Sequence, residues 1–201
     1  MILIHLSDEA FKDDLDAYQY CDAVLRNCYS ERLADIASVR HFPLGYKQGF
    51  ARPGQRLRPA AERKYLWSFA GDTKKVTRGE MLSEMGKLPS GFTHLTSGFG
   101  ASDALPTARY RELMDDTLFV PCPGGWSNLD TFRTYEALEA GCIPIVERRP
   151  GFEYYAKLLG PHPMPAVLDW REGADVVRRH QADGSAEALR AKCSAWWVDY
   201  K

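Results

Sequence analysis

The 201-residue chain carries 26 basic and 27 acidic residues, a formal charge of −1, and is 45% hydrophobic. It is long enough to form one domain or one and a half around a sizeable core, and its balanced charge argues against nucleic acid or an anionic membrane surface as a partner. No run approaches the roughly 18 apolar residues of a membrane helix, and the apolar start at residues 1–4 is too short for a signal-peptide core.

In chain order, residues 1–6 read as a strand that delivers His5, Ser7, Asp8 and Glu9 to its carboxyl end, where a doubly wound sheet keeps its chemistry. On the residues alone, the better-supported reading is that Ser7 or Asp8 caps a helix running through Phe11, Leu15 and Tyr18. Residues 24–26 and 39–42 are further strands. Residues 48–63 contain Gly49, Pro53, Gly54, Pro59 and four arginines, the composition of an exposed linker, and the domain boundary falls there. Residues 64–70 form an apolar and aromatic strand, followed by Gly71 and a helix whose Met81, Leu82, Met85 and Leu88 face a core. Arg78 lies off that stripe and, on spacing alone, is a solvated helix residue; Lys74 and Lys75 read as surface charges. A short strand at 93–96 leads into a Gly- and Ser-containing loop, 97–106, expected to be mobile. Tyr110, Leu113 and Met114 share one face of a short helix, with Tyr110 read as core.

Residues 116–147 are the most informative stretch. They read as strand (118–121), turn-rich loop, helix and strand (143–146), a βαβ unit whose strands must lie parallel. Asp130 or Asn128 can cap the helix, which carries Phe132, Tyr135 and Leu138 on one flank and ends at Gly141. Ligands of such sheets bind where loops leave the carboxyl ends of the strands. The loop from Pro123 to Asn128, with a helix N-terminus behind it, therefore suits an anion such as phosphate. Arg133 in the first turn and Glu136 deeper oppose the helix's own dipole. Either an external anion beside Arg133 relieves this, or the two form a surface pair worth roughly 0.2–0.5 kcal/mol. Helices at 152–159, 175–181 and 186–200 and a strand at 166–168 complete the chain. The tandem Trp196 and Trp197 need a surface to bury against. The five cysteines, Cys21, Cys28, Cys122, Cys142 and Cys193, lack metal-ligand spacing, and Cys122 and Cys142 sit at opposite strand ends, so neither a zinc site nor a disulfide framework is expected. A nicotinamide oxidoreductase is disfavoured because the loops after the strands at 64–70 and 118–121 lack GxGxxG.

The run PCPGGWSNLDTFRTYEALEAGCIPIVE, residues 121–147, resembles the donor-side signature of the exostosin family, glycosyltransferase family 47: a Pro- and Gly-containing loop, a small hydroxyl residue, Arg, Glu-Ala-Leu, then Gly-Cys-Ile-Pro. IHLSDE, VLRNCYS and HFPLGY near the start are similar to the segment before the donor domain in that family's ribitol xylosyltransferase-like branch. The resemblance implies an α/β fold: the doubly wound, nucleotide-sugar half of a GT-B transferase over residues 59–201, preceded over residues 1–58 by part of an acceptor-side domain and a linker. It implies an inverting hexosyl or pentosyl transferase that uses a nucleotide sugar, in the first instance a UDP-sugar, with no metal or other cofactor, and a glycan or other hydroxyl acceptor.

Carried over by position, Glu136 meets the ribose and Arg78 the diphosphate. Gly71, Ser127, Asn128, Thr131 and Arg133 complete the donor site. Asp8, Glu9 and His5 are the base candidates this chain supplies, although the family's base can lie in another part of the acceptor domain. A chain of this length suggests three forms: a transferase, a truncated or non-catalytic nucleotide-sugar-binding domain, or a donor-side subunit. The last would pair with an acceptor-domain partner, or with itself, through an exposed patch at Trp196 and Trp197. The compartment follows the same division: the Golgi lumen for a fragment of a eukaryotic member, the cytoplasm for a complete chain.

Overall fold

A computed structural model of the protein describes residues 1–13, 15–75 and 77–201. The chain is α/β, with two sheets whose strands all run parallel. The smaller comprises β1 (Ile2–His5), β2 (Ala23–Arg26) and β3 (Val39–His41), in that order. Its register aligns Leu3 with Val24 and Val24 with Val39, and the two valines join Tyr18, Cys21 and Leu33 in a small core. Ile2, Ile4 and Leu25 are exposed. They belong to the other face, since side chains alternate along a strand. Among the described residues, no α-helix runs from Phe11 to Tyr18. Ser7 and Phe11 have φ of 73° and 52°, values a right-handed helix cannot accommodate, and only a 3₁₀ turn, Asp16–Tyr20, follows.

The larger sheet begins with β4 (Tyr65–Gly71), α1 (Arg78–Met85), β5 (Gly91–Leu95), α2 (Thr107–Asp115) and β6 (Thr117–Cys122). It continues with α3 (Phe132–Glu139), β7 (Ile143–Glu147), α4 (Tyr154–Leu159), β8 (Ala166–Val167), α5 (Trp170–Ala182) and α6 (Ala186–Tyr200). The strand order is β5-β4-β6-β7-β8. From β4 the chain steps outward to β5 and then returns across β4 to β6, so β4 and β6 flank a topological switch point, where open α/β sheets bind their ligands. Phe69, Phe119 and Ile145 from the strands and Met81, Met85, Tyr135, Leu138 and Val177 from the helices are essentially inaccessible to solvent. α3 stops where the sequence suggests, with Gly141 at φ +69° after its last turn. All five cysteines are free and buried.

Two segments differ from their sequence reading. Residues 48–63 are irregular apart from one 3₁₀ turn, Ala60–Glu62, and most of them are exposed as their composition suggests, but two buried side chains fasten them to the larger unit. Phe50 is fully buried in its core. The buried Arg63 donates to the carbonyls of Arg58, Met114, Thr117 and Ala140 at 2.6–3.2 Å. These include orphan acceptors at the ends of α2 and α3, which explains how an arginine can sit there. The tandem tryptophans also find partners within the chain. Trp197 is 5% exposed, lies 5.9 Å from the Tyr135 ring and donates to Glu139 at 2.8 Å. Trp196 is half-buried and donates to the Pro161 carbonyl. The exposed double-tryptophan patch that a donor-side subunit could use is therefore not formed.

The smaller sheet is joined to the larger unit by aromatic contacts. The Tyr29 amide donates to the Tyr154 hydroxyl at 3.1 Å, and the Tyr29 ring stacks on Phe152 with centroids 6.2 Å apart.

Candidate functional site

A cavity of about 560 Å³ opens where both sheets present their carboxyl ends. Ser7 and Glu9 enter it from beyond β1, Cys28 from beyond β2, and Leu44 and Lys47 from beyond β3. From the larger sheet it receives Gly71 at the end of β4, Arg78 at the start of α1, the loop after β6, and the first turns of α3. Gly71 and the Gly125 to Asn128 loop thus meet at one edge, at the switch point.

Two arginines converge on the Phe69 ring. Arg133 is 9% exposed and donates to the Ala70 carbonyl at 2.7 Å; Arg78 is 5% exposed and donates to the Asp72 carbonyl and carboxylate, both at 2.9 Å. The Phe69 ring lies beneath both, 4.5 Å from the Arg133 guanidinium and 5.7 Å from that of Arg78. Gly71 makes this convergence possible: its φ is +152°, and a Cβ there would lie 2.8 Å from Arg133 Nη2. Burial, and then the neighbouring Arg133, lower the Arg78 pKa to about 10, which leaves it charged at neutral pH. Burial, and then Arg78, depress that of Lys75, which lines the cavity rather than lying on the surface as its sequence context suggests. Among the described residues, the buried Nε atoms of Arg78 and Arg133 have no hydrogen-bond partner. Buried orphan donors are costly, so this cationic pair suits a multiply charged anion. The alternative of an Arg133–Glu136 surface pair fails, since both side chains are buried.

The loop after β6 holds an anion of the protein's own. Gly124 N–H donates to Glu147 at 3.1 Å, while the amides of Ser127 and Asn128 both donate to Glu9 Oε1, at 3.0 and 3.2 Å. A Cβ on Gly125 would lie 2.4 Å from that same oxygen, so glycine is what admits the carboxylate. The amides that the sequence suggested for phosphate are thus bonded to Glu9. Neither Asn128 nor Asp130 caps α3. Thr131 occupies that position without a side-chain cap, its hydroxyl 3.3 Å from that of Thr134. Asn128 Oδ1 instead accepts from the Asp130 amide. Asp130 is itself buried and accepts from Tyr135 Oη at 2.6 Å and from the Leu44 amide at 3.1 Å. Burial pushes its pKa up to about 6 against those hydrogen bonds.

Burial raises the Glu136 pKa, opposed by Arg133 and by hydrogen bonds from the Lys47 amide and the Tyr110 hydroxyl. Tyr110 packs on Phe50 at 5.9 Å and also lines the cavity, so it is both core residue and wall.

The three base candidates separate. Only Glu9 lines the cavity. Asp8 is buried, accepts from the Lys12 amide at 2.8 Å and pairs with Arg26 at 3.4 Å. Burial works to raise its pKa, but these partners outweigh burial and leave it lowered. His5 bonds Tyr18 through Nδ1 and Asp13 through Nε2. His5, Asp8 and Asp13 bring ligand-type atoms within 4.8 Å of one another, but a cation there would have to break the Arg26 pair and the Tyr18 contact. Lys47, Lys75, Asp130 and Glu147 were not singled out as site residues in the sequence. Their roles depend on long-range packing for which no local spacing gives a signal.

A family model described as the Exostosin GT47 domain matches residues 48–183. No curated protein matches the chain.

Proposed function

Because this chain belongs to the exostosin family, glycosyltransferase family 47, and carries its glycosyltransferase domain, we propose that the cavity binds a nucleotide sugar, a UDP-sugar in the first instance, and that the sugar passes with inversion to a hydroxyl acceptor. In this reading residues 59–201 are the donor-binding half of a GT-B enzyme of the ribitol xylosyltransferase-like branch, and residues 1–58 contribute the acceptor side. The observation that carries it is the pair of buried arginines at the switch point, whose Nε atoms have no partner among the described residues, in the same cavity as the buried Glu136 carboxylate. A guanidinium matches phosphate oxygens, whereas a carboxylate repels them and accepts from ribose hydroxyls.

The residues divide the reaction as follows. Arg78 and Arg133 hold the diphosphate and stabilise the charge it gains as the bond to the sugar's anomeric carbon breaks. Gly71 and Thr131 leave room at the phosphates, and the loop at Ser127 and Asn128 orients Glu9. Glu9 accepts the proton of the acceptor hydroxyl as that oxygen attacks from the opposite face. Asp8 supports the backbone that carries Glu9, and His5 braces the same segment. The test is a panel of nucleotide sugars and glycan acceptors with the anomeric configuration of the product read by NMR. Transfer with inversion that disappears in Glu9→Gln while UDP still binds is the expected result. Transfer with retention, or undiminished transfer by Glu9→Gln, contradicts it.

A second reading has its own observation. Ile2, Ile4 and Leu25 leave one face of the smaller sheet exposed, although parallel sheets are ordinarily covered on both faces. A donor-binding chain that needs an acceptor-binding surface from another polypeptide would look like this. It predicts saturable UDP binding without transfer by residues 1–201, because the acceptor would not be held near the base; robust transfer by this chain alone excludes it.

A further inference from the structure

Phe99 is 87% exposed and Phe132 is 38% exposed, and both line the cavity. Their rings are close to parallel, 16° apart, with centroids separated by 6.4 Å. Phe99 stands on the loop between β5 and α2. That loop is not slack: the Ser97 amide donates to Asp103 at 2.8 Å, and His94 Nε2 lies 2.7 Å from the Asp103 carbonyl. A large apolar ring held in the open beside a second one is unfavourable in water unless a ligand covers it.

We propose that Phe99 and Phe132 form an aromatic clamp for the nucleobase of the donor. The inference rests on the nucleotide reading above and adds a subsite to it. A flat ring stacked on both faces needs its neighbours roughly 7 Å apart, two van der Waals contact distances, so the pair, with centroids 6.4 Å apart, accepts a base when Phe99 moves outward. Connectivity agrees. Phe132 and Glu136 are four residues apart on α3 and share one face at about one helical turn, as a base and its ribose are neighbours in a nucleotide. Arg133 is next to Phe132 in the chain and donates to the Ala70 carbonyl, sharing the Phe69 ring with Arg78. Stacking of this kind recognises the π-face that every base offers.

The test is calorimetric titration of the full chain and of Phe99→Ala and Phe99→Tyr with uridine, UDP and inorganic pyrophosphate. Phe99 is exposed, so its removal should not affect folding. The expected result is that Phe99→Ala weakens uridine and UDP roughly five- to a hundredfold, leaves pyrophosphate unchanged, and is reversed by Phe99→Tyr. Unchanged uridine affinity in Phe99→Ala overturns the clamp, as does an equal loss for pyrophosphate. If the wild-type chain binds pyrophosphate but not uridine, the clamp fails while the diphosphate cradle stands. If it binds none of the three, the nucleotide reading itself fails and the clamp with it.

Discussion

Asp130 shows at the level of one residue how burial converts a common side chain into a titrating one. Its folded pKa of about 6 exceeds the ordinary 3.8 because burial outweighs the Tyr135 and Leu44 hydrogen bonds. Between these values the folded chain holds a proton that the unfolded chain has released. Stability is therefore highest below about pH 4 with respect to this group and falls as pH rises toward 6, by on the order of 3 kcal/mol. Urea unfolding of wild type and Asp130→Asn at pH 4.5 and 7 should show the wild type losing ground to the variant as pH rises; a constant difference would mean that Asp130 is not held in this state. None of this was visible in the sequence, where Asp130 is ordinary capping material next to a helix. Arg78 is a similar case. Its spacing marks it as lying off an apolar stripe, and only the tertiary approach of Arg133, Phe69 and Gly71 explains why it is buried. The motif resemblance pointed to it where periodicity pointed away.

Secondary elements were more legible than individual contacts. The βαβ unit from β6 to β7 follows directly from short apolar runs, turn residues and a helix ending at Gly141, because these signals act locally. The bend at Ser7 and Phe11 was not legible, since left-handed backbone at non-glycine residues is imposed by tertiary contacts, among them the Ser7 amide on Asn27. Residues 48–63 have linker composition, yet Phe50 and Arg63 are buried through partners distant in sequence. α6 illustrates the same limit. Its tandem tryptophans announce burial, but not against what. With Trp197 against Tyr135 and Trp196 half-exposed, Trp197→Ala should cost about 3–5 kcal/mol and Trp196→Ala clearly less, as measured by chemical unfolding. Equal losses, or a change of oligomeric state on replacing Trp196, would instead point to a shared external surface.

For the whole molecule, the decisive arrangement is that two parallel sheets aim their carboxyl ends at one cavity, lined by the cationic pair and by Glu136. Parallel pairing and the switch point at β4 and β6 could be anticipated from the alternation of strands and helices, whereas the seating of the smaller sheet through Tyr29 and Tyr154 could not. The central claim is that Arg78 holds the diphosphate and Glu136 the ribose of one nucleotide. It is tested most directly by calorimetric titration of wild type, Arg78→Ala and Glu136→Ala with uridine and UDP. A charge-assisted contact is worth roughly 1.5–3 kcal/mol, or about ten- to over a hundredfold in affinity. Glu136→Ala should weaken both ligands by similar factors, whereas Arg78→Ala should weaken UDP and leave uridine nearly untouched, with added salt eroding only the Arg78 contribution. An Arg78→Ala variant that loses uridine as strongly as UDP, or a Glu136→Ala variant that binds both as wild type does, would contradict the account.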